Sequence, residues 1–573
     1  MDFDQLVLVY EQLEQISSGN QMREILSNFF KEVPSEDIAL VSYLTLGQIA
    51  SEYEGVVLGI AEKTVIKSIS IAGGMDSSKV QKILTETGDA GLTAERVKMN
   101  KQVTLVPVNK LTIQDLFLGL HKLADFSGSG SQDIKINLLS SLLQKASPKG
   151  AKYLIRIALG TLRLGVGDMT ILDSLALAFT GEKKNKEILE RAYNLCPDVG
   201  VIAETLSRNG LNGINKIGVK VGRPIKMMLG QRVKELAEIS TKIPGEVTVE
   251  AKYDGERIQA HKTKQGKIIL FSRRLENVTS QFPDLIIYLS QQIKAQEFIV
   301  EGEVIAIDKD GKPLPFQTLM QRRRKYEVEE YVKKIPLAFK LFDLLYLNGE
   351  SFLSQPYYQR SAQLEKIIKP SLNLSLTEKI ITADLVKIES FFQQMLKSGY
   401  EGIFIKSRAE DSGYQAGVRG WNWIKWKKEY VTAMVDTFDL VIVGAFYGRG
   451  KRSGRYGALL CAVFNPQNDT FETFCKLGTG LTDKVLSDLP DKLKPFQLTK
   501  KPARLSVKRE MEADVWFEPR LVVEVFGAEI TKSPFHTCAH GLALRFPRFI
   551  RFREDKDAEQ ATTSQEILEL FKK

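Results

Sequence analysis

The residues best suited to chemistry lie in the run Glu250-Ala251-Lys252-Tyr253-Asp254-Gly255-Glu256-Arg257. It continues a strand-like segment, and the alternation of side chains along a strand places Glu250, Lys252 and Asp254 on one face. An amine in this position can act as a nucleophile once it has lost its proton. A single Lys-x-Asp-Gly is common, however, and most often holds an ordinary lysine in ion pairs. The interpretation therefore depends on residues further along the chain.

A second strand-like segment, Phe298–Asp308, carries two carboxylates among apolar residues. Alternation places Glu301 and Glu303 on one face, opposite Val300 and Val304. Burying two like charges together is costly unless a cation or ribose hydroxyls occupy the same face. The segment therefore indicates a metal or a basic partner, or else a face that stays in solvent.

Aromatic and basic residues follow in two further strand-like segments. Phe342 lies beside Lys340 and Asp343, so its ring could stack on a base instead of joining the core. Lys425 and Lys427 share one face of a tryptophan-rich strand. Like charges on neighbouring positions repel each other unless an anion lies between them, and phosphate is the simplest anion.

The elements that must position these residues fall into three regions. The first two hundred or so residues show apolar positions at helical spacing, as in Leu6–Ile16. From about Val219, strands alternate with short helices, and the polar loop Thr263–Gly266 is expected to close a hairpin. From about Val435 the chain is again rich in strands, and Thr563-Ser564-Gln565-Glu566 predicts a capping box that opens a final helix.

Three basic segments could contact a polyanion. Lys145–Gly167 mixes basic residues with glycines on an amphipathic helix, which suits a phosphate backbone or simply a helix with a charged face. Tyr447–Gly457 suits either a DNA backbone or a plain hairpin connection. The run Arg322-Arg323-Arg324-Lys325 precedes an acidic stretch, and we expect it to be a solvated helix face.

Length and composition set outer bounds on the protein class. The chain has 573 residues, enough for three or four domains, and a formal net charge of +10 that favours a polyanionic partner. Its four cysteines are dispersed, which fits a reducing cytoplasm and argues against a structural zinc site. We expect no signal peptide, because the acidic start lacks an apolar core, and no segment long enough to cross a membrane.

Taken in order, these segments resemble the ATP-dependent DNA ligases, most closely the replicative archaeal and eukaryotic type. Each motif is weak alone, but their ordered co-occurrence over nearly the whole chain is specific. The matching motifs are Lys252-Tyr253-Asp254-Gly255-Glu256-Arg257, Phe271-Ser272-Arg273-Arg274, Glu301-Gly302-Glu303, Lys340-Leu341-Phe342-Asp343, Glu401-Gly402 with Ile405-Lys406, Trp423-Ile424-Lys425-Trp426-Lys427, and Arg545 to Lys556.

The resemblance implies a role for each matched position. Lys252 would be adenylylated by ATP, the backbone at Glu250 would read the adenine edge, and Phe342 would stack on the base. Glu401, together with Glu303, would bind Mg²⁺. The remaining implied nucleotide contacts are Arg257, Arg273 and Glu303 at the ribose and neighbouring phosphates, Arg419, Lys425 and Lys427 at the triphosphate and then the nick phosphate, and Arg553 and Lys556 at the departing pyrophosphate.

The resemblance also implies a multidomain fold. An all-α DNA-binding domain would span 1–222, an α+β nucleotidyltransferase (adenylation) domain 223–433, and a β-barrel OB-fold domain with a C-terminal helix 434–573. The barrel would swing over the nucleotide site through a hinge near Lys428–Asp436 and then turn away to admit DNA.

The implied substrate is nicked double-stranded DNA, sealed by a cytoplasmic, nucleoid-associated monomer during replication, repair and recombination. A sliding clamp is a further implied partner. Gln102–Val106 lies where such a contact could sit, although it lacks an aromatic pair.

Three alternatives share part of this evidence. An RNA ligase or an mRNA-capping enzyme would use the same lysine chemistry but would not need the long helical region. An NAD-dependent ligase would carry a cysteine-rich zinc module, which the sequence lacks. A non-enzymatic nucleic-acid clamp would explain the charge but not Lys252 with its ordered carboxylates.

Overall fold

The computed structural model describes residues 1–100, 110–128, 130–233, 235–322, 328–427, 437–448, 456–527 and 529–572. They form two compact units, Met1–Lys427 and Lys428–Lys573. Within these ranges no helix combines the length and the apolarity needed to cross a bilayer. The segment Gln102–Val106, the hinge Lys428–Asp436, residues 323–325 of the basic run and residues 449–455 of the basic loop lie outside the described residues.

The described part of residues 1–222 is helical, as the apolar spacing predicts. Apolar faces meet in one core, in which Leu6, Leu44 and Leu175 are fully buried. The α-helices are α1 (Phe3–Glu14), α2 (Gly19–Glu32), α3 (Ile38–Thr45), α4 (Glu62–Gly73), α5 (Ser77–Thr87), α6 (Ala90–Met99), α7 (Ile113–Asp125), α8 (Ser131–Lys145), α9 (Pro148–Ala158), α10 (Asp168–Thr180), α11 (Lys186–Leu195) and α12 (Val199–Asn215).

The basic residues of α9, for which a phosphate contact and a plain charged helix face were both open, are in part neutralised within the protein. Lys152 is only 7% exposed and donates hydrogen bonds of 2.7 Å to both Glu11 and Glu14 of α1. Arg156 pairs with Glu14 and with Asp89, at the start of α6. These two cations therefore hold the helices together and are neutralised within the protein, so that they are not free for a phosphate backbone.

Two sheets follow in the first unit. Sheet A contains β1, β2, β9, β10 and β11, and sheet B contains β3 to β8. The strands are β1 (Leu229–Arg232), β2 (Val247–Lys252), β3 (Glu256–Lys262), β4 (Ile268–Ser272), β5 (Phe298–Ala306), β6 (Leu337–Leu347), β7 (Glu350–Ser351), β8 (Leu374–Leu376), β9 (Lys379–Thr382), β10 (Gly402–Ser407) and β11 (Arg419–Lys427). The helices are α13 (Ala237–Lys242), α14 (Pro283–Gln292), α15 (Phe316–Met320), α16 (Val328–Lys334), α17 (Tyr357–Ile367) and α18 (Leu385–Lys397).

Strand order places the functional segments next to each other. Sheet A runs β1-β11-β10-β2-β9, and sheet B runs β4-β3-β5-β6-β7 with β8 beside β6. The predicted hairpin is confirmed, since β3 and β4 pair antiparallel on either side of Thr263–Gly266. Val247 and Val249 are buried, and Glu250 on the opposite face of the strand is buried as well. Both faces of β2 are therefore covered, and the charge of Glu250 needs partners inside the protein.

Arg322 corrects the expectation of a solvated basic face. It is 1% exposed and forms a two-pronged ion pair with Asp284 of α14, with N···O distances of 2.8 and 2.9 Å. It also donates to the backbone carbonyl of Ile335. The carboxylate that it meets lies 38 residues earlier in the sequence, in α14.

The second unit is built on a curled antiparallel arrangement around β12. This long strand pairs with β13 along one edge, and with both β17 and β18 along the other. The predicted capping box is confirmed, because the Thr563 and Glu566 side chains each accept the other's backbone N–H. The elements are β12 (Thr437–Tyr447), β13 (Tyr456–Asn465), β14 (Thr470–Leu477), α19 (Asp483–Leu493), β15 (Gln497–Leu498), β16 (Leu505–Ser506), β17 (Val515–Phe517), β18 (Val522–Phe526), β19 (Glu529–Lys532), β20 (Leu542–Arg545), β21 (Arg548–Phe552) and α20 (Ser564–Lys572).

Candidate active site

Lys252 ends β2 and lies opposite Gly402 of β10, which itself lies opposite Lys427 of β11. Gly402 has a φ of 150°, and a Cβ at this position would lie 2.3 Å from the carbonyl oxygen of Trp426. Glycine therefore allows the three strands to approach closely enough to set the two lysines side by side. The preceding residue, Glu401, donates its backbone N–H to the Lys252 carbonyl at 2.9 Å.

The carboxylate of Glu401 joins both lysines. It accepts a hydrogen bond from Lys252 Nζ on Oε2 and another, at 2.8 Å, from Lys427 Nζ on Oε1. Burial opposes the charge of Glu401, but the two ammonium groups outweigh burial and hold its pKa below the usual value. Glu303 behaves in the opposite way, because burial raises its pKa to about 7 while Lys252 and Arg257 only partly compensate. The site thus places one firmly ionised carboxylate beside one that titrates near neutrality.

Further cations surround Lys425 on β11. Lys425 is the register partner of Arg232 on β1, and Arg419 begins the same strand. Burial, together with the nearby charges of Arg232, Arg419, Lys252 and Lys427, lowers the pKa of Lys425 to about 8. Positive charges that converge in this way are stabilised by a bound anion. The cluster suits a polyphosphate.

Arg257, on β3, is held by a buried carboxylate. Its Nη2 donates to Glu301 at 2.6 Å and its Nη1 to the Met228 carbonyl at 2.8 Å, while the Tyr414 hydroxyl donates to the same carboxylate at 3.0 Å. The remaining donor, Arg257 Nε, is buried and meets no acceptor among the described residues. A buried donor left unpaired is costly, so an oxygen of a bound ligand would complete this arrangement.

Aromatic rings form the wall beside Arg257. Phe342, on β6, is half-buried and meets Trp423 edge-on with ring centroids 6.1 Å apart. The Arg257 guanidinium lies 5.2 Å from the Phe342 ring and the Lys406 ammonium lies 4.6 Å from it. Phe342 is therefore outside the fully buried core and can present its ring to a ligand.

Glu250 lies behind this wall with two partners. Its carboxylate meets Lys406 Nζ at 2.7 Å and accepts a hydrogen bond from the Tyr357 hydroxyl. Burial lowers the pKa of Lys406, an effect that Glu250 partly reverses. Burial, with Glu250 adding to it, raises the pKa of Tyr357 well above its usual value, so the hydroxyl keeps its proton. The buried charge of Glu250 is thus neutralised by an ion pair and fixed by a hydroxyl donor.

The structure brings together most of the predicted site residues, but not all of them. Arg273 is exposed just after β4, in the wall of a cavity of about 310 Å³. The described residues lining it include Tyr43, Tyr193 and Lys226, but not Lys252, Glu303, Glu401 or Lys427.

Arg553 and Lys556 belong to the second unit. Both bind Asp439 there: Arg553 donates to its two carboxylate oxygens at 3.0 and 3.1 Å, and Lys556 donates at 2.7 Å.

Three side chains of the site were given no individual role in the sequence interpretation, although Lys406 belongs to one of the matched motifs. They are Lys406, Tyr357 and Tyr414. A period-two pattern could have placed Lys406 on the same face of β10 as Phe404, which lies opposite Glu250 in the sheet. The two tyrosines carry no comparable signal, because their partners are more than a hundred residues away.

The carboxylates of Glu303 and Glu401 fit a magnesium ion. Glu401 is close enough to raise the pKa of Glu303. Mg²⁺ usually takes one or two carboxylates and fills its other positions with phosphate oxygens and water. In the part of the chain that the structure describes, no three His, Cys, Asp or Glu side chains form a cluster that could hold a metal alone. Phosphate oxygens would thus have to supply part of the shell.

Family models match three successive parts of the chain. "DNA ligase N terminus" matches residues 2–176, "ATP dependent DNA ligase domain" matches 227–427, and "ATP dependent DNA ligase C terminal region" matches 452–556. The second of these ranges contains Lys252, Glu303, Glu401 and Lys427.

Individual proteins match over nearly full length. "DNA ligase 2" of Thermofilum pendens is 46% identical over 98% of this chain and 96% of its own length. "DNA ligase" of Staphylothermus marinus is 44% identical over 100% of this chain and 99% of its own length. A solved structure described as "Pmar-Lig_Pre." covers 96% of this chain with a TM-score of 0.54 at 16% identity, a likeness of fold alone.

Proposed function

The chain belongs to the ATP-dependent DNA ligases, and we propose from this premise that Lys252 is the residue that carries the adenylyl group. The observation that carries the proposal is the position of its amine. It lies beside Glu401 and Lys427, next to the cationic cluster around Lys425 and within reach of the charge of Glu303. A nucleophile, a candidate metal-binding carboxylate and a phosphate-binding surface therefore meet at the end of one strand.

The reaction consists of three phosphoryl transfers. The neutral Lys252 amine attacks the α-phosphorus of ATP, forms a P–N bond and expels pyrophosphate. An oxygen of the 5′-phosphate at a DNA nick then attacks the same phosphorus and releases the amine. Finally the 3′-hydroxyl attacks the 5′-phosphorus, which forms the phosphodiester and expels AMP. Each step gathers negative charge around phosphorus, so that positioning and cationic contacts contribute most of the rate.

Glu401 and Glu303 have different proposed roles around Lys252. Glu401 holds Lys252 in place by a hydrogen bond before ATP arrives, and the amine must leave this carboxylate to attack. Glu401 and Glu303 would then hold Mg²⁺, which when bound neutralises charge on the phosphate oxygens. Lys425 and Lys427, with Arg419 at the start of the strand, neutralise the triphosphate and afterwards the nick phosphate.

The base and ribose would lie along the aromatic wall. Phe342 stacks on the adenine, and the β2 backbone at Glu250 reads its edge. Arg257 contacts the nucleotide through its unpaired Nε, with Glu303 nearby on the neighbouring strand β5. Arg273 is proposed as a contact to phosphates at the ribose side, although it lines the cavity described above.

The remaining regions serve DNA and pyrophosphate. We assign 1–222 as the helical DNA-binding domain, 223–433 as the adenylation domain and 434–573 as an OB-fold domain. Within the last, Arg553 and Lys556 would act on the departing pyrophosphate. The protein is proposed to seal nicks as a monomer in replication, repair and recombination, in the cytoplasm at the nucleoid, with a sliding clamp as a further partner.

The test is a labelling experiment with three nucleotides. The protein is incubated with labelled ATP, GTP or NAD, beside the variant Lys252→Ala. Label is expected from ATP alone, only in the wild type, in an adduct that survives alkali and is lost in acid, as a phosphoramidate is. Label from GTP would indicate a capping-type enzyme and label from NAD the other ligase class. Label retained in Lys252→Ala would refute the assignment of the nucleophile.

A further inference from the structure

Tyr357 connects the two sheets at the proposed nucleotide site. It opens α17, and its hydroxyl lies within hydrogen-bonding reach of two acceptors. One is Glu250 Oε1, on β2 of sheet A, and the other is the Phe342 carbonyl at 3.2 Å, on β6 of sheet B. These are the two residues proposed to read and to stack on the base. A single side chain therefore bridges both walls of the base-binding slot.

The Tyr357 hydroxyl alone cannot donate to both acceptors at once. A tyrosine hydroxyl has one proton to donate, while Glu250 and Phe342 together offer two acceptor groups. Lys406 supplies the rest, since its ammonium lies 2.7 Å from Glu250 Oε2 and donates to the Phe342 carbonyl at 3.4 Å. Without the hydroxyl, Glu250 Oε1 would lose its donor at a site that is only 2% exposed, where water can hardly replace it.

The helix that carries Tyr357 is itself anchored beside the slot. Arg360, three residues further on and so on the same face of α17, pairs with Asp343 through two bonds of 2.8 and 3.0 Å. Both side chains are fully buried, and Asp343 directly follows Phe342 in β6. The position of the Tyr357 hydroxyl relative to sheet B is therefore fixed, which suits it to set the position of sheet A.

We propose that Tyr357 is a positioning residue for base selection: its hydroxyl fixes Glu250 and Phe342 relative to each other, and so sets the geometry with which the site receives adenine. This inference rests on the proposed function of the site. It predicts an effect on nucleotide affinity and base preference, because the hydroxyl contacts the two residues proposed to contact the base. A merely structural role would instead lower stability without changing the preference among bases.

The test compares two tyrosines of the same helix. Tyr357→Phe removes only the bridging hydroxyl. Tyr358→Phe removes a hydroxyl that bonds Glu410 at the surface, and it serves as the matched control. Self-adenylylation of the full chain is measured against ATP and against inosine triphosphate, which carries an oxygen in place of the 6-amino group. Melting temperatures are recorded for each variant.

Tyr357→Phe is expected to raise the KM for ATP by about tenfold, the scale of one hydrogen bond to a charged group. The maximal rate should stay within about twofold, and the preference for ATP over inosine triphosphate should fall by a similar factor of about ten. Tyr358→Phe should match the wild type in its KM for ATP, its maximal rate and its preference for ATP over inosine triphosphate. An unchanged KM and preference in Tyr357→Phe, whatever its melting temperature, would overturn the inference.

A double-mutant cycle with Glu250→Gln gives a second measurement. If the hydroxyl acts through Glu250, the effects of Tyr357→Phe and Glu250→Gln on KM should be strongly non-additive. Full additivity would overturn the inference. Its failure remains distinct from failure of the proposed function, because in the latter case the wild type itself would show no Lys252-dependent label.

Discussion

The ammonium of Lys252 donates a hydrogen bond to the carboxylate of Glu401, a residue 149 positions further along the chain. The adjacency follows from the pairing of β2 with β10, in which Gly402 lies opposite Lys252. Glu401 therefore has two successive partners in the proposed reaction. It holds the lysine before the nucleotide binds, and it would be able to hold a metal ion once the lysine has turned to the phosphate.

Removing the charge of Glu401 should slow the first transfer even though it frees the lysine. We expect Glu401→Gln to slow self-adenylylation by roughly a hundredfold to a thousandfold, the scale of one lost electrostatic contact to the transition state. Single-turnover labelling with ATP measures this rate. Glu365→Gln, which removes a surface ion pair with Lys379, is the control and should match the wild type. Faster labelling in Glu401→Gln would show that the carboxylate only restrains the lysine.

The aromatic wall can be tested through nucleotide affinity. Phe342→Ala should weaken ATP binding by roughly 1–3 kcal/mol, the usual contribution of one base-stacking platform. Phe342→Tyr, which keeps an aromatic face, should retain most of the affinity. Equilibrium titration with ATP measures both. An affinity unchanged in Phe342→Ala would mean that the ring only fills space between Trp423 and Arg257.

Stability outside the site depends on a buried ion pair. Arg322→Ala should lower the free energy of unfolding by roughly 3–5 kcal/mol, because it leaves the Asp284 charge buried without its partner. The double variant Arg322→Met, Asp284→Leu removes both charges and should lie much closer to the wild type. Denaturant unfolding measures the three proteins. A loss of unfolding free energy below about 1 kcal/mol in Arg322→Ala would mean that Arg322 is solvated, as its sequence context predicted.

The pH dependence of stability should report Glu303. Its pKa is raised to about 7 by burial, from an ordinary value of 4.5. The folded state therefore binds more protons than the unfolded state between these values, so the stabilisation is present below pH 4.5 and is lost as the pH rises through 7. Two and a half pKa units correspond to about 3 kcal/mol.

Glu303→Gln removes this loss, because the amide does not ionise. Relative to the wild type, the variant should gain about 3 kcal/mol of unfolding free energy between pH 4.5 and pH 8. Urea unfolding at the two pH values measures the difference. Glu350→Gln, on the exposed strand β7, should run parallel to the wild type. If the unfolding free energy of Glu303→Gln changed with pH in the same way as that of the wild type, the raised pKa of Glu303 would be contradicted.

The strand residues of the site could be predicted because strand alternation is a local rule. Lys252, Glu303, Lys425 and Lys427 lie in strands β2, β5 and β11, and the order of the motifs identified the family. What alternation cannot supply is the identity of distant partners. Tyr357 meets a carboxylate 107 residues away, and nothing near it in sequence indicates that contact.

Charge clusters were the least predictable feature for the same reason. Lys152 and Arg322 were interpreted from their neighbours in sequence, Lys152 as either a phosphate contact or part of a charged helix face, and Arg322 as a solvated residue. The structure buries both against carboxylates at least 38 residues away. Whether a cation is free or neutralised depends on which helices pack together, and that is a property of the tertiary fold.

Arg553 and Lys556 share Asp439 as a partner. Pyrophosphate leaves with growing negative charge, and added cations would stabilise that charge only in the first transfer. Arg553→Ala and Lys556→Ala should each slow self-adenylylation by roughly tenfold to a thousandfold. Given nicked DNA that is already adenylylated, both variants should seal at close to the wild-type rate, since no pyrophosphate leaves in that step.

Asp439→Asn is the matched control for this pair, because it keeps both cations and removes the charge that they share in the second unit. It should not slow self-adenylylation, since the cations would then be held less tightly and remain available to the phosphates. If Arg553→Ala and Lys556→Ala reduced the sealing of adenylylated DNA as strongly as the labelling by ATP, their target would be the DNA backbone. A loss in Asp439→Asn equal to that of the two alanine variants would instead assign all three residues to the stability of the second unit.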